Sequence, residues 1–134
     1  MAEHLVKSYD NELKRMRAMM AEMGGIVENQ LALAAQAILQ RDDEAATKAV
    51  SDDPKVDALE RGIEQFVIRM LALRQPMAAD LRFIIASLKM TGDLERIGDY
   101  AANAAKRSIV LSQFNLPFSL AGLANMFRLV QAQL

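Results

Sequence analysis

Two acidic pairs are the residues of this chain best spaced for chemistry. In GDLERIGDY, residues 92–100, Glu95 and Asp99 are four apart, and in DPKVD, residues 53–57, Asp53 and Asp57 repeat that step. On an α-helix this spacing puts both carboxylates on one face, one turn above the other. Like charges held that close repel, so they call for an arginine, water, a metal ion or a partner protein as compensation. Oxygen donors without sulfur or imidazole suit hard or borderline cations: magnesium, manganese, calcium or iron. The plainer reading is that these acids point into solvent and pair with Lys55, Arg61, Arg96 or Arg107.

Either reading requires helices, and the apolar spacing supplies them. Tyr9, Leu13, Met16, Met20, Met23, Val27, Leu31, Ala34 and Ile38 step by threes and fours, the mark of a long amphipathic helix. RDDE at 41–44 interrupts it, with Asp42 or Asp43 able to cap a short helix to about Val50. SDDP at 51–54 opens the next helix, with an acid or serine as cap and Pro54 in the first turn. Val56, Leu59, Ile63, Phe66, Met70 and Leu73 then mark its core seam. Pro76 in RQPM separates this helix from a third that runs to about Ser112, and NLP at 115–117 precedes a last apolar segment to Leu134. Short loops force antiparallel neighbours, so the fold class is all-α, an antiparallel three-helix bundle over residues 1–114.

Folding the chain back at 75–76 sets Asp57 level with about position 94 and Asp53 level with about 98. The two acidic pairs then face each other, making a nest of four carboxylates with Glu60 close by. On the third helix, Glu95 and Asp99 fall in register with Leu81, Ile84 and Leu88, and Asn103 extends the row. A core seam thus turns into a polar ladder in the C-terminal part of that helix, where the dipole favours cations instead. Phe83, Met90, Ile97, Ala101 and Ala104 line roughly the opposite side of the helix from Leu81, Ile84, Ile85 and Leu88. A helix apolar on two faces calls for a second bundle, in cis or from another chain.

Residues 21–31, AEMGGIVENQL, align without gaps with 124–134, ANMFRLVQAQL. The match suggests a duplicated three-helix unit whose second copy begins near residue 119, so residues 115–134 are expected to open an incomplete second repeat.

Composition narrows the remaining classes. A net charge of −1 gives no overall field toward nucleic acid or anionic lipid, and the absence of cysteine excludes disulfides and thiolate metal sites and fits the cytoplasm. No apolar run reaches the roughly 18 residues of a membrane span, and MAEHLVKSYD does not resemble a secretory signal. Phosphate loops, Ser/His/Asp sets and Glu-x-x-His pairs are absent, and His4 stands alone near the start. The nine methionines fall mostly on core seams, Asp80 lies in a first helical turn, and Gly24 and Gly25 are expected to permit close backbone contact.

KSYDNELKRM, MGGIVENQL, RQPMAADLR and above all DLERIGDYAANAAK, in this order and spacing, resemble the PhoU family of bacterial phosphate-uptake regulators. The resemblance covers essentially the whole chain and implies a duplicated three-helix fold, of which this chain would hold the first unit and the opening helix of the second. It implies a regulator, not an enzyme: a cytoplasmic adaptor, expected to be homodimeric and without direct nucleic-acid contact. Such an adaptor acts with the ATPase subunit of the phosphate ABC transporter and a membrane sensor histidine kinase, restraining uptake and the phosphate-starvation regulon. Family members bind metal through acidic E/D-x-x-x-D motifs, which Glu95 and Asp99 match directly and Asp53 and Asp57 match in form. A metal ion, magnesium, manganese or iron, is the cofactor so implied. The alternatives are a structural helical dimerisation module without an ion and a carboxylate-bridged metal enzyme, whose Glu-x-x-His pairs are missing.

Overall fold

The computed structural model describes residues 2–114 and 120–134, with side chains from Lys7 onward. The expected NLP break and the side chain of His4 lie outside the described residues. Five helices follow in order: α1 (Ala2–Gln40), α2 (Asp43–Ser51), α3 (Asp53–Arg74), α4 (Ala78–Leu111) and α5 (Ala121–Gln133), with no strand among the described residues. α4 packs against α1, α2 and α3, while α5 rests on α1. The all-α expectation and the first four helix boundaries therefore hold.

Each junction has a local cause. After α1, Arg41 takes a left-handed backbone (φ 53°), and Asp42 caps α2 by accepting from the Ala45 N–H at 3.1 Å. The Gln36 amide donates to the other Asp42 oxygen at 2.7 Å. The Ala45 N–H first and Gln36 second hold the Asp42 carboxyl below its ordinary pKa. Between α2 and α3 the break is a single residue: Asp52 keeps helical angles (φ −81°, ψ −15°) and serves both helices. Pro54 brings no N–H, and its ring crowds the carbonyl four residues back, so one continuous helix cannot run through. Asp52 sits where the sequence places the cap but makes no side-chain cap bond, and accepts instead from Lys55 Nζ at 3.3 Å. At the α3/α4 hairpin, Gln75 is left-handed (φ 46°) just before Pro76. There Arg74 grips α1, donating to both Glu12 oxygens at 3.1 and 3.2 Å and to Ser8 Oγ at 2.8 Å.

The interior has two parts. Met16, Met23 and Val27 of α1 meet Val56, Ile63, Val67 and Met70 of α3 and Ile84 of α4 in a core of large side chains. A second cluster is almost all alanine: Ala34, Ala37, Ala45, Ala46, Ala49, Ala101 and Ala105, with Leu31, from α1, α2 and α4. Small side chains there let three helices pack closely.

Two expectations need correction. The buried stripe of α4 is Ile84, Ser87, Thr91, Gly98, Ala101, Ala102, Ala105 and Ser108, while Leu81, Ile85 and Met90 are exposed. Small and hydroxyl residues can line this seam because their hydroxyls find partners within the helix. Ser87 donates to the Phe83 carbonyl at 2.7 Å and Thr91 to the Ser87 carbonyl at 2.8 Å. Glu95 and Asp99 consequently flank the seam, half-buried, and Asn103 is exposed. They also lie three or more turns before the end of α4 at Leu111, beyond the reach of its terminal dipole. Gly24 and Gly25 mark no close approach, since a Cβ at either would have nothing within 4 Å.

Candidate functional site

Asp53 occupies the first turn of α3, where the N-terminal N–H groups favour an acid, and Asp57 follows one turn later. Asp99 meets them from the middle of α4. A carboxylate oxygen from each of Asp53, Asp57 and Asp99 lies within 4.8 Å of the other two. Asp53, expected level with about position 98, meets Asp99 one residue away, whereas Asp57, expected level with about 94, also joins Asp99. Glu95 stands beside this triplet, not in it, close enough to Asp99, Glu60 and Asp57 for their carboxyls to raise its pKa.

None of the cations proposed as surface partners reaches the cluster. Among the described residues Lys55 pairs with Asp52, and Arg96 lies 4.0 Å from exposed Asp93, while no lysine or arginine forms an ion pair with Asp53, Asp57, Glu95 or Asp99. The repulsion is instead borne by the carboxyls themselves. Glu95 is pushed up to about 7, by partial burial first and then by its hydrogen bond to Asp99 and the charges of Asp99, Glu60 and Asp57. Burial likewise raises Asp53, with Asp99 and Asp57 adding to it and a Gln30 hydrogen bond opposing it. Glu60 is raised by burial and by Glu64, Asp57 and Asp99, with Arg61 working weakly the other way.

Gln30 is a neighbour of the acidic cluster that the sequence did not point to. Fully buried on α1, its Nε2 donates to the Ala49 carbonyl at 3.0 Å and reaches Asp53 Oδ1 at 3.4 Å. Its Oε1 is buried without a partner and faces Gly98, where a Cβ would lie only 2.8 Å away. The glycine inside ERIGD is therefore a packing requirement: any side chain there would displace the glutamine that supports Asp53. A signal for Gln30 does exist, since it lies seven residues after buried Met23 and three after buried Val27, on the core stripe.

The donor set fits a cation. An octahedral ion bound at about 2.1 Å spaces its oxygens roughly 3 to 4.2 Å apart, and larger calcium somewhat more; the triplet's oxygens, all within 4.8 Å of one another, need only small side-chain adjustments to close on such an ion. With oxygen donors only, the arrangement suits magnesium, manganese, calcium or iron and leaves positions for water or a further group.

A family model described as the PhoU domain matches residues 20–108. This chain belongs to the PhoU family. Its backbone matches the crystal structure of PhoU from Pseudomonas aeruginosa with a TM-score of 0.90 at 36% identity, covering 92% of this chain and 60% of that one. A phosphate-specific transport system accessory protein PhoU homolog of Xylella fastidiosa is 53% identical over 81% of this chain and 46% of its own length. One from Caulobacter vibrioides is 43% identical over 100% of this chain and 59% of its own length. The chain thus spans about half the length of the curated PhoU relatives it matches. None of its described helices is long and apolar enough to cross a membrane.

Proposed function

We propose that this chain is part of a metal-binding regulatory adaptor of phosphate transport, a regulator and not an enzyme. In this reading the adaptor works in the cytoplasm with the phosphate ABC transporter's ATPase subunit and a membrane sensor histidine kinase, restraining uptake and the phosphate-starvation regulon. The observation that carries the proposal is the counter-ion-free triplet Asp53, Asp57 and Asp99 on a PhoU-family bundle. Asp53, Asp57 and Asp99 would hold the ion directly, Glu95 would enter by reorienting from Asp99, and Gln30 would orient Asp53. A bound divalent ion would supply the positive charge that these carboxyls otherwise lack and would lock α3 against α4.

The same reading assigns α5 to the start of a second three-helix unit. Met126, Leu129 and Val130 on α5 are exposed and none of its residues is buried, which supports a further layer from that unit or from a homodimeric partner.

Two experiments test the proposal. Manganese, magnesium or iron at about a hundred times its Kd should stabilise the chain by roughly 2.7 kcal/mol, a rise of about 5–10 °C in Tm. Asp99→Asn and Asp53→Asn should remove that rise; no shift with any of these ions would leave a structural, ion-free bundle. In cells lacking the full-length protein, a phosphate-starvation reporter should stay on at high phosphate and be silenced by the wild type but not by Asp99→Asn. Normal silencing without the protein would end the regulatory reading.

A further inference from the structure

A second charged region, remote in character from the carboxylates, lies between α1 and α3 near the hairpin end. Lys7, Asn11 and Arg15 follow one another by single helical turns on α1, with Ser8 and Glu12 on the adjacent row. Across from them α3 contributes Phe66 and Arg69. Together these seven residues line an open cleft of about 380 Å³. That volume falls within the roughly 300–1,000 Å³ of small-molecule sites.

Its charge balance is one-sided. Among the described residues Glu12 is the only acid lining the cleft, and both its oxygens are occupied by Arg74. Lys7, Arg15 and Arg69 form no ion pair with any described residue. Arg15 is held over the Phe66 ring, its guanidinium carbon 5.8 Å from the centroid, so one of the two guanidinium forks is positioned before any ligand arrives. Asn11 and the Ser8 hydroxyl add neutral donors at the rim.

We propose that this cleft binds a phosphoryl oxyanion, either as free inorganic phosphate or as the phosphate end of a nucleotide. The chemistry follows from the donors. Two planar guanidinia and an ammonium lining one cleft between two helices suit an anion carrying two charges and several acceptor oxygens, whereas a single carboxylate would satisfy only one fork. The site is independent of the metal proposal: it shares no residue with the acidic cluster and needs no ion.

Calorimetric titration of the EDTA-treated chain with inorganic phosphate and with ADP, at constant ionic strength set by chloride, tests it. Saturable binding of one equivalent is expected, weakened about tenfold or more in Arg15→Gln and in Arg69→Gln and unchanged in Asp99→Asn. Both arginines are exposed, so the variants should keep the wild-type circular dichroism and Tm, and Lys7→Gln gives a third reading at the cleft's other end. Clearly tighter ADP binding identifies the nucleotide as the source, and equal binding identifies the phosphoryl group alone. Absence of saturation with both probes, or equal binding by the Arg15→Gln/Arg69→Gln double variant, overturns the proposal.

Discussion

The acidic cluster of α3 and α4 and the basic cleft of α1 and α3 each crowd like charges together, but they are built on different supports. Asp53, Asp57, Glu95 and Asp99 are half-buried and back onto a fully buried glutamine and a glycine whose Cβ would press on that glutamine's oxygen. Lys7, Arg15 and Arg69 are exposed, on long stems that water can reach. Partial burial turns repulsion into shifted protonation, whereas exposure lets solvent screen most of it. The acidic side is therefore coupled to folding, and the basic side is nearly free of it.

The sharpest way to break this contrast is Gly98→Val. A branched side chain forced against Gln30 should cost about 2–4 kcal/mol by urea unfolding and displace the support of Asp53. Arg69→Gln should stay within about 0.5 kcal/mol of wild type. Equal losses in the two variants would erase the distinction.

The next effect reverses sign with the solution. In EDTA at pH 8, Asp99→Asn removes one of the repelling charges and should raise stability by on the order of 1 kcal/mol. With saturating manganese the same variant should be the less stable protein, by up to about 2–3 kcal/mol. A variant whose rank does not change with metal would separate the triplet from ion binding.

Acidity gives a third measure. Glu95 titrates at about 7 in the folded chain, above the ordinary glutamate value of 4.5. The native state then holds more protons than the unfolded state between these values. Its contribution is complete below the unfolded value and is lost as pH rises through about 7, on the order of 2 kcal/mol without metal. Urea midpoints at pH 5 and pH 8 should show this fall, and Glu95→Gln should flatten it. The smallest effects belong to the basic side: Arg15→Gln, which loses an exposed cation–π contact at 5.8 Å, should like Arg69→Gln stay within about 0.5 kcal/mol of wild type.

What could be read from the sequence follows the same physics. α1 and α3 were legible because Met, Val, Ile and Leu mark their buried rows, and Pro54 with its neighbouring acids marks the start of α3. The approach of Asp53 to Asp99 was legible because a short hairpin leaves little freedom of register, but the meeting of Asp57 with Asp99 instead of with position 94 was not. The phase of α4 was not. Its leucines and isoleucines outweigh Ser87, Thr91 and Gly98 on any hydropathy count, yet the small residues fit the tight contact and the hydroxyls bond within the helix. Gln30 escaped for a related reason, since a polar residue on an apolar row reads as noise until its partners, Ala49 and Asp53, are seen.

Those two partners stand on opposite sides of the one-residue break at Asp52, Ala49 in α2 and Asp53 in α3. One amide group thus works as a staple across an elbow, clipping upper arm to forearm from a third limb. Bending at that elbow would have to tear the staple and swing Asp53 relative to Asp99. Anything gripping the carboxylates would therefore brace the joint, and anything levering α2 would be felt by the carboxylates.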